Sequence, residues 1–236
     1  MEVEKDAIGR AILDFAAYGK AEDIIVASDI CEDDVIPVPY LFRDFEAMPD
    51  LEKIALNLCE GKVLDIGAGA GSHSKALLEK GIDVHAIDIS PGAVVHMQGQ
   101  KINAREIDFR NISDEKYDTL LLLMNGIGIA SRFNALEDFL KHAKNCLTEN
   151  GKIICDSTDV SYLYEDEEGG VWMDLNSDYF GDFKFKMSYK ETETDWFDWL
   201  YIDFNKLSET AEKVGFSTEL IFEQENQFLV ELKHIK

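Results

Sequence analysis

The segment 63-VLDIGAGAGSHS-74 decides how this chain folds: an apolar run carrying Asp65 gives way at once to glycines at 67, 69 and 71. Glycine lacks a Cβ, so it lets a strand turn sharply into a helix and lets backbone N–H groups approach a ligand. A dinucleotide turn has the spacing G-x-G-x-x-G, which counted from Gly67 needs a glycine where this chain has Ser72. The spacing here is G-x-G-x-G instead. Asp65, closing the apolar run, is of little use to NAD but suits a ligand that carries an ammonium group.

Working outward, apolar segments alternate with helix-like ones. Strand 62–67 leads to helix 72–81, with Ser72 available as cap and Gly81 as stop. Strand 82–88 leads to helix 90–100, with Pro91 in its first turn. A short strand at 104–109 precedes 117-YDTLLLLM-124, a nearly continuous apolar run of the kind buried on both faces. Helix 132–147 carries Phe133, Leu136, Phe139, Leu140 and Ala143 on one stripe, and strand 151–157 follows. The chain closes with helix 206–215 and strands 216–223 and 227–234. Such alternation predicts an α/β fold, a doubly wound parallel sheet covered by helices, with ligands beyond the carboxyl ends of the strands.

Two regions depart from the alternation. Residues 1–60 contain an amphipathic helix (Ile8, Ala11, Ile12, Phe15) and a second helix near 50–59, which together predict an N-terminal helical cap. Between about 171 and 203 the period changes to two: 183-FKFKMSYK-190 sets Phe183, Phe185, Met187 and Tyr189 against Lys184, Lys186, Ser188 and Lys190. With 171–176 and 196–203 it predicts a small antiparallel β insertion. Its lysines are expected to guard an exposed edge strand, and Trp196, Phe197, Trp199 and Tyr201 to fill the core of the insertion.

Composition limits the function. The 236 residues carry 23 Lys and Arg against 47 Asp and Glu, a formal net charge of −24. Nucleic-acid binding relies on cations that neutralise phosphates, so neither DNA nor RNA is expected as a partner. No run of eighteen apolar residues and no secretory leader pattern is present, so neither a membrane span nor secretion is expected; the expected location is cytoplasmic. The four cysteines, Cys31, Cys59, Cys146 and Cys155, have neither disulfide-framework nor zinc-site spacing, and no metal is expected.

With these residues in view, VLDIGAGAG resembles motif I of the class I S-adenosylmethionine-dependent methyltransferases, and residues 60–157 follow that family motif by motif. The resemblance implies a Rossmann-like, mostly parallel seven-stranded sheet whose last strand is antiparallel. It implies S-adenosylmethionine as cofactor and a methyltransferase domain over 61–236. Asp65 would lie near the methionyl ammonium, with Gly67, Ala68, Gly69 and Gly71 along the methionine and ribose. Asp88, in 84-VHAIDIS-90, matches the acid that accepts both ribose hydroxyls, with Ile89 against the adenine. Asp108, in 106-EIDF-109, matches the acid that receives the adenine amino group, with Phe109 beside the ring. Met124 and Asn125 fall where the family places the methyl group and the acceptor. Taken alone, Asp88 and Asp108 also fit as strand-end acids.

Methyl transfer needs an aligned acceptor lone pair and excluded water more than it needs a triad, and no catalytic residue stands out. On the acceptor side the candidates are Asn125, Asp156, Asp159 and Tyr162, with Arg43 as a lone cation in the cap. Gly126 and Gly128 suggest close approach of backbone to a ligand. The chain has Gly126 and Ile127 where amino-methyltransferases of DNA bases and glutamine have prolines, which removes that acceptor assignment. The expected activity is methylation of a small molecule. A protein methyltransferase and a non-catalytic S-adenosylmethionine-binding sensor or interaction module are the alternatives; a nucleotide-dependent oxidoreductase is disfavoured by Ser72.

Overall fold

The computed structural model describes residues 2–164 and 179–235, and the expected strand at 171–176 lies outside them. The N-terminal part holds α1 (Ala7–Tyr18), β1 (Ile24–Ser28), β2 (Asp34–Ile36) and α2 (Asp50–Leu58). Alternation follows, broken only between β5 and β6: β3 (Lys62–Ile66), α3 (Ser72–Glu79), β4 (Asp83–Asp88), α4 (Pro91–Gly99) and β5 (Asn103–Glu106), then β6 (Tyr117–Leu122), α5 (Phe133–Cys146) and β7 (Leu147–Thr158). The remainder is β8 (Asp182–Tyr189), β9 (Thr192–Glu193), β10 (Phe197–Leu200), α6 (Phe204–Val214), β11 (Phe216–Gln224) and β12 (Gln227–His234).

The large sheet has seven strands in the order β11-β12-β7-β6-β3-β4-β5. Strands β3 to β7 are parallel, and β12 runs antiparallel to both β7 and β11. Both faces are covered, which is why the strands carry unbroken apolar runs. Leu64, Leu120 and Leu122 face Leu136, Phe139 and Leu140 of α5 and Leu207 of α6. Val63, Leu121 and Ile154 face Leu51 and Leu56 of α2 and Leu77 of α3. From β3 the chain winds one way to β4 and β5, then returns to place β6 on the other side of β3. A crevice opens at the carboxyl ends of β3 and β6, the position where open α/β sheets receive ligands.

A second, antiparallel sheet has the order β10-β8-β1-β2, with β9 on the free stretch of β8. The first sixty residues are therefore not helical throughout: β1 pairs with β8, and β2 pairs with β1. Both strands are short, and Ile24-Ile25-Val26 is too brief an apolar run to separate strand from loop by period. The edge-guard reading of the lysines is overturned by the same pairing. Strand β8 has β1 on one side and β10 on the other, so it is interior, and Lys186 and Lys190 instead pair with Glu193 and Asp14.

The sheet is anchored through α1. The α1 cap, Asp6, is 3% exposed; its Oδ1 accepts from Gly9 N at 2.9 Å, and its Oδ2 accepts from Ser90 Oγ at 2.9 Å and Gly92 N at 2.8 Å. This contact needs glycine, because a Cβ on Gly92 would stand 2.7 Å from the backbone of Gly9. Gly92→Ala is expected to push α1 from α4 and cost about 1–3 kcal/mol in urea unfolding. Gly99→Ala, in the same helix with open space around it, should be neutral or slightly stabilising. Equal stability of the two variants would show that the crossing tolerates separation.

Candidate functional site

Two cavities meet above the carboxyl ends of β3 and β6. The larger is about 630 Å³ and the smaller about 340 Å³. Met187, Phe197 and Trp199 line both, so one wall of the small antiparallel sheet separates them. The aromatic residues expected in the core of the insertion are thus cavity walls. Trp196 is 51% exposed on the larger cavity, and Tyr201 lines the smaller one.

The glycine turn borders the larger cavity. Gly67, Gly69 and Gly71 have φ of +72°, +56° and +81°, a region that side chains resist. Gly69 has open space where a Cβ would stand, and its N–H donates to Asp88 Oδ2 at 2.8 Å. Ser90 N donates to Asp88 Oδ1, also at 2.8 Å. Burial raises the Asp88 carboxyl pKa, against the pull of these two amides. Gly67, Gly69, Asp88, Ile89, Asp108 and Phe109 line the cavity together, residues that the family resemblance assigned to one ligand. Ile66, Ile87, Ile107 and Ile129 line the same cavity and make it an apolar slot. Asp108 is already held by Arg110, whose guanidinium, 2.5 Å away, lowers the carboxyl pKa. Phe109 is only 2% exposed and packs on Phe139 and His142.

Asp65, Ala68 and Gly71 support the turn from behind and line neither cavity. Asp65 is 2% exposed, accepts from Ser74 Oγ at 2.6 Å, and has its pKa raised by burial. Ser72 does not cap α3: Gly71 occupies the cap position, and the Ser72 hydroxyl donates to Leu41 O, tying the turn to the N-terminal part.

Met124, Asn125 and Asp156 line the smaller cavity. Met124 and Asn125 are consecutive non-glycine residues at φ +61° and +57°, a strained pair of the kind that collects at functional sites. Thr158 Oγ1 donates to Asn125 Oδ1 at 2.8 Å and fixes it. Asp156 is 5% exposed, accepts from Gly126 N at 3.3 Å, and is pushed up to about 6 by burial, with the 125 and 126 amides opposing.

Such a carboxyl favours the folded state most when protonated. That contribution is full below about pH 4 and lost as pH rises through about 6. Asp156→Asn should therefore gain on the native protein between pH 4 and pH 8, by about 1–3 kcal/mol in urea unfolding. A pH-independent difference would contradict the burial argument.

The other acceptor-side candidates lie elsewhere. Arg43 lines neither cavity; its Nη2 contacts both oxygens of Glu52 at 2.5 and 2.7 Å, and its guanidinium sits over Tyr40. Asp159 caps its own turn by accepting from Ser161 N, and Tyr162 is 46% exposed; neither lines a cavity. Gly128 makes the close approach that its sequence suggested, but to the Trp199 ring. Glu52 and Tyr40, on the smaller cavity, were missed. Burial raises the Glu52 pKa, but the bonds from His73 and Arg43 outweigh it and the net shift is downward. Its signal was in the sequence: a glutamate on the buried stripe of α2, beside Leu51, Ala55 and Leu56.

Comparison with known proteins agrees with this geometry. Residues 64–153 match a family described as a methyltransferase domain. A crystal structure of an S-adenosylmethionine-dependent methyltransferase from Bacteroides fragilis, in complex with S-adenosyl-L-homocysteine, is 41% identical, with 100% of this chain and 98% of that one covered and a TM-score of 0.94. The CcbJ methyltransferase from Streptomyces caelestis is 13% identical over 81% of this chain and 95% of its own, with a TM-score of 0.61. The PH0226 protein from Pyrococcus horikoshii is 19% identical over 78% and 88%, with a TM-score of 0.58. These last two share the fold. No curated protein matches the chain.

Proposed function

The chain belongs to the class I S-adenosylmethionine-dependent methyltransferases, and we propose from that premise that it methylates a small molecule seated in the smaller cavity. S-adenosylmethionine supplies, when bound, a methyl group on a positively charged sulfur, open to in-line attack by an acceptor lone pair. The residues of the larger cavity suit that donor. The isoleucine slot suits a flat base, Asp88 suits paired hydroxyls, and the open face of Gly69 admits a ligand against backbone. Asp88 can accept hydrogen bonds from hydroxyls while it accepts from two amides, because each carboxylate oxygen has two lone pairs.

The observation that carries the reading is the shared wall of Met187, Phe197 and Trp199 between a donor-sized cavity and a second one. A concave space of about 340 Å³ is of small-molecule size. The wall residues would orient the acceptor and exclude water at the junction.

Calorimetric titration with S-adenosylmethionine, S-adenosylhomocysteine and NAD tests the donor: the first two should bind and NAD should not. A panel of small amines, phenols, thiols and carboxylates beside basic peptides, read by mass spectrometry, tests the acceptor. Methylated peptide with every small molecule untouched would overturn the small-molecule reading, and tight donor binding with no product at all would favour a sensor.

A further inference from the structure

The smaller cavity has a charge pattern that the donor assignment does not use. Asp34, Glu52 and Asp156 line it, and among the described residues no Lys, Arg or His does. The charge of Glu52 is met by Arg43, and His73 Nε2 lies within hydrogen-bond distance of its other oxygen. Asp156 has no such partner among the described residues; backbone amides alone hold it.

Around these acids stand Tyr40, Phe185, Phe197, Trp199 and Tyr201. Aromatic faces attract cations, more strongly when water is excluded. A carboxylate or phosphate acceptor would meet three acids and no counter-charge. A neutral alcohol would leave a buried carboxylate without the cation it can best bind. The net charge of −24 adds a field that draws cations and repels anions.

We infer that the acceptor is an amine on an apolar or aromatic framework, and that Asp156 binds its ammonium form and takes the proton that must leave before methyl transfer. The inference rests on the smaller cavity being the acceptor site. An ammonium nitrogen has no free lone pair, so one N–H proton passes to the Asp156 carboxylate. The amine nitrogen then forms the N–C bond as the S–C bond breaks; the bonding pair stays on sulfur and cancels its charge, and the positive charge passes to the methylated nitrogen. Burial and the positive sulfur of the bound donor both weaken the ammonium's hold on its proton. The groups that face Asp156 are Glu52 from α2, which raises its pKa, and His73 from α3, which lowers it; Asp34, Tyr40 and Tyr201 share the cavity wall.

The test is calorimetry at pH 8 with three probes of one shape: 2-phenylethylamine, 2-phenylethanol and phenylacetate. Each titration is made with and without saturating S-adenosylhomocysteine, so the preference is measured whatever that compound does. The amine should bind at least about tenfold more tightly than the alcohol, with phenylacetate weakest. Its affinity should fall as pH is lowered through about 6, where Asp156 becomes protonated. In Asp156→Asn the amine preference should vanish while S-adenosylhomocysteine affinity is kept, since Asp156 does not line the larger cavity. An amine that binds no better than the alcohol, or not at all, overturns the inference, as does a preference that survives in Asp156→Asn. Loss of S-adenosylhomocysteine binding in the native protein is a separate result, which overturns the donor site and leaves the amine comparison to be judged on its own numbers.

Discussion

Asp88→Ala is expected to weaken S-adenosylhomocysteine binding about 10- to 150-fold, the value of charge-assisted hydrogen bonds from paired hydroxyls to a carboxylate. Its position supports a figure at the upper end. Asp88 bonds Gly69 N on the glycine turn and Ser90 N at the start of α4, so one side chain fixes both rims of the larger cavity. Ser90 is held in turn by Asp6, which ties the arrangement to α1. Asp88→Asn keeps an acceptor oxygen without the charge and should fall between the native protein and Asp88→Ala. Calorimetry gives the affinities, and urea unfolding confirms that the variants are folded. Native affinity in folded Asp88→Ala would remove Asp88 from the donor site.

Gly128→Ala is expected to lower kcat/KM by on the order of 100-fold for any acceptor the panel identifies, without a comparable loss of stability. The backbone of Gly128 lies outside the left-handed region, so alanine is conformationally acceptable there. The obstacle is the Trp199 ring: a new Cβ would lie 2.6 Å from its Cδ1 and closer still to Nε1 and Cε2. The ring must move by more than an ångström to reach ordinary contact distance, and a misplacement of about 1 Å is already enough for such a loss. Trp199 lines both cavities, so its displacement also alters the tryptophan emission of the free protein, which gives a readout without substrate. Native turnover in Gly128→Ala would mean that the shared wall does not align the reaction.

The parallel sheet was legible because strands buried on both faces must be apolar throughout, as Leu120, Leu121 and Leu122 are. The glycine turn was legible because its backbone angles exclude side chains, and the family resemblance then singled out Asp88, which lines the larger cavity, and Asp65, which lines neither. The smaller cavity was legible only in part, through Met124, Asn125 and Asp156. Its opposite wall comes from β1, β2, β8 and β10, and the pairing of Ile25 with Ser188 leaves no local trace in either segment. The alternation 183–190 correctly predicted a strand with one apolar face, yet period two cannot say whether that face closes a core or a cavity. Arg43 stood out as a cation among acids, and its partner Glu52 lies nine residues further on in the next helix. Sequence order hides such pairs until the helix is docked.

The small sheet also constrains how acceptor choice can be exchanged between relatives. Strand β8 is hydrogen-bonded to β1 on one side and β10 on the other, so this wall of the smaller cavity is encoded in two stretches of chain on either side of the alternating β3–β7 region, which itself supplies Met124, Asn125 and Asp156. A chimaera that swaps residues 182–200 alone would leave the incoming β8 against a foreign β1. Exchanging that wall therefore calls for both stretches at once, and shuffling at a single crossover is expected to disturb both cavities, because Met187, Phe197 and Trp199 line the two of them.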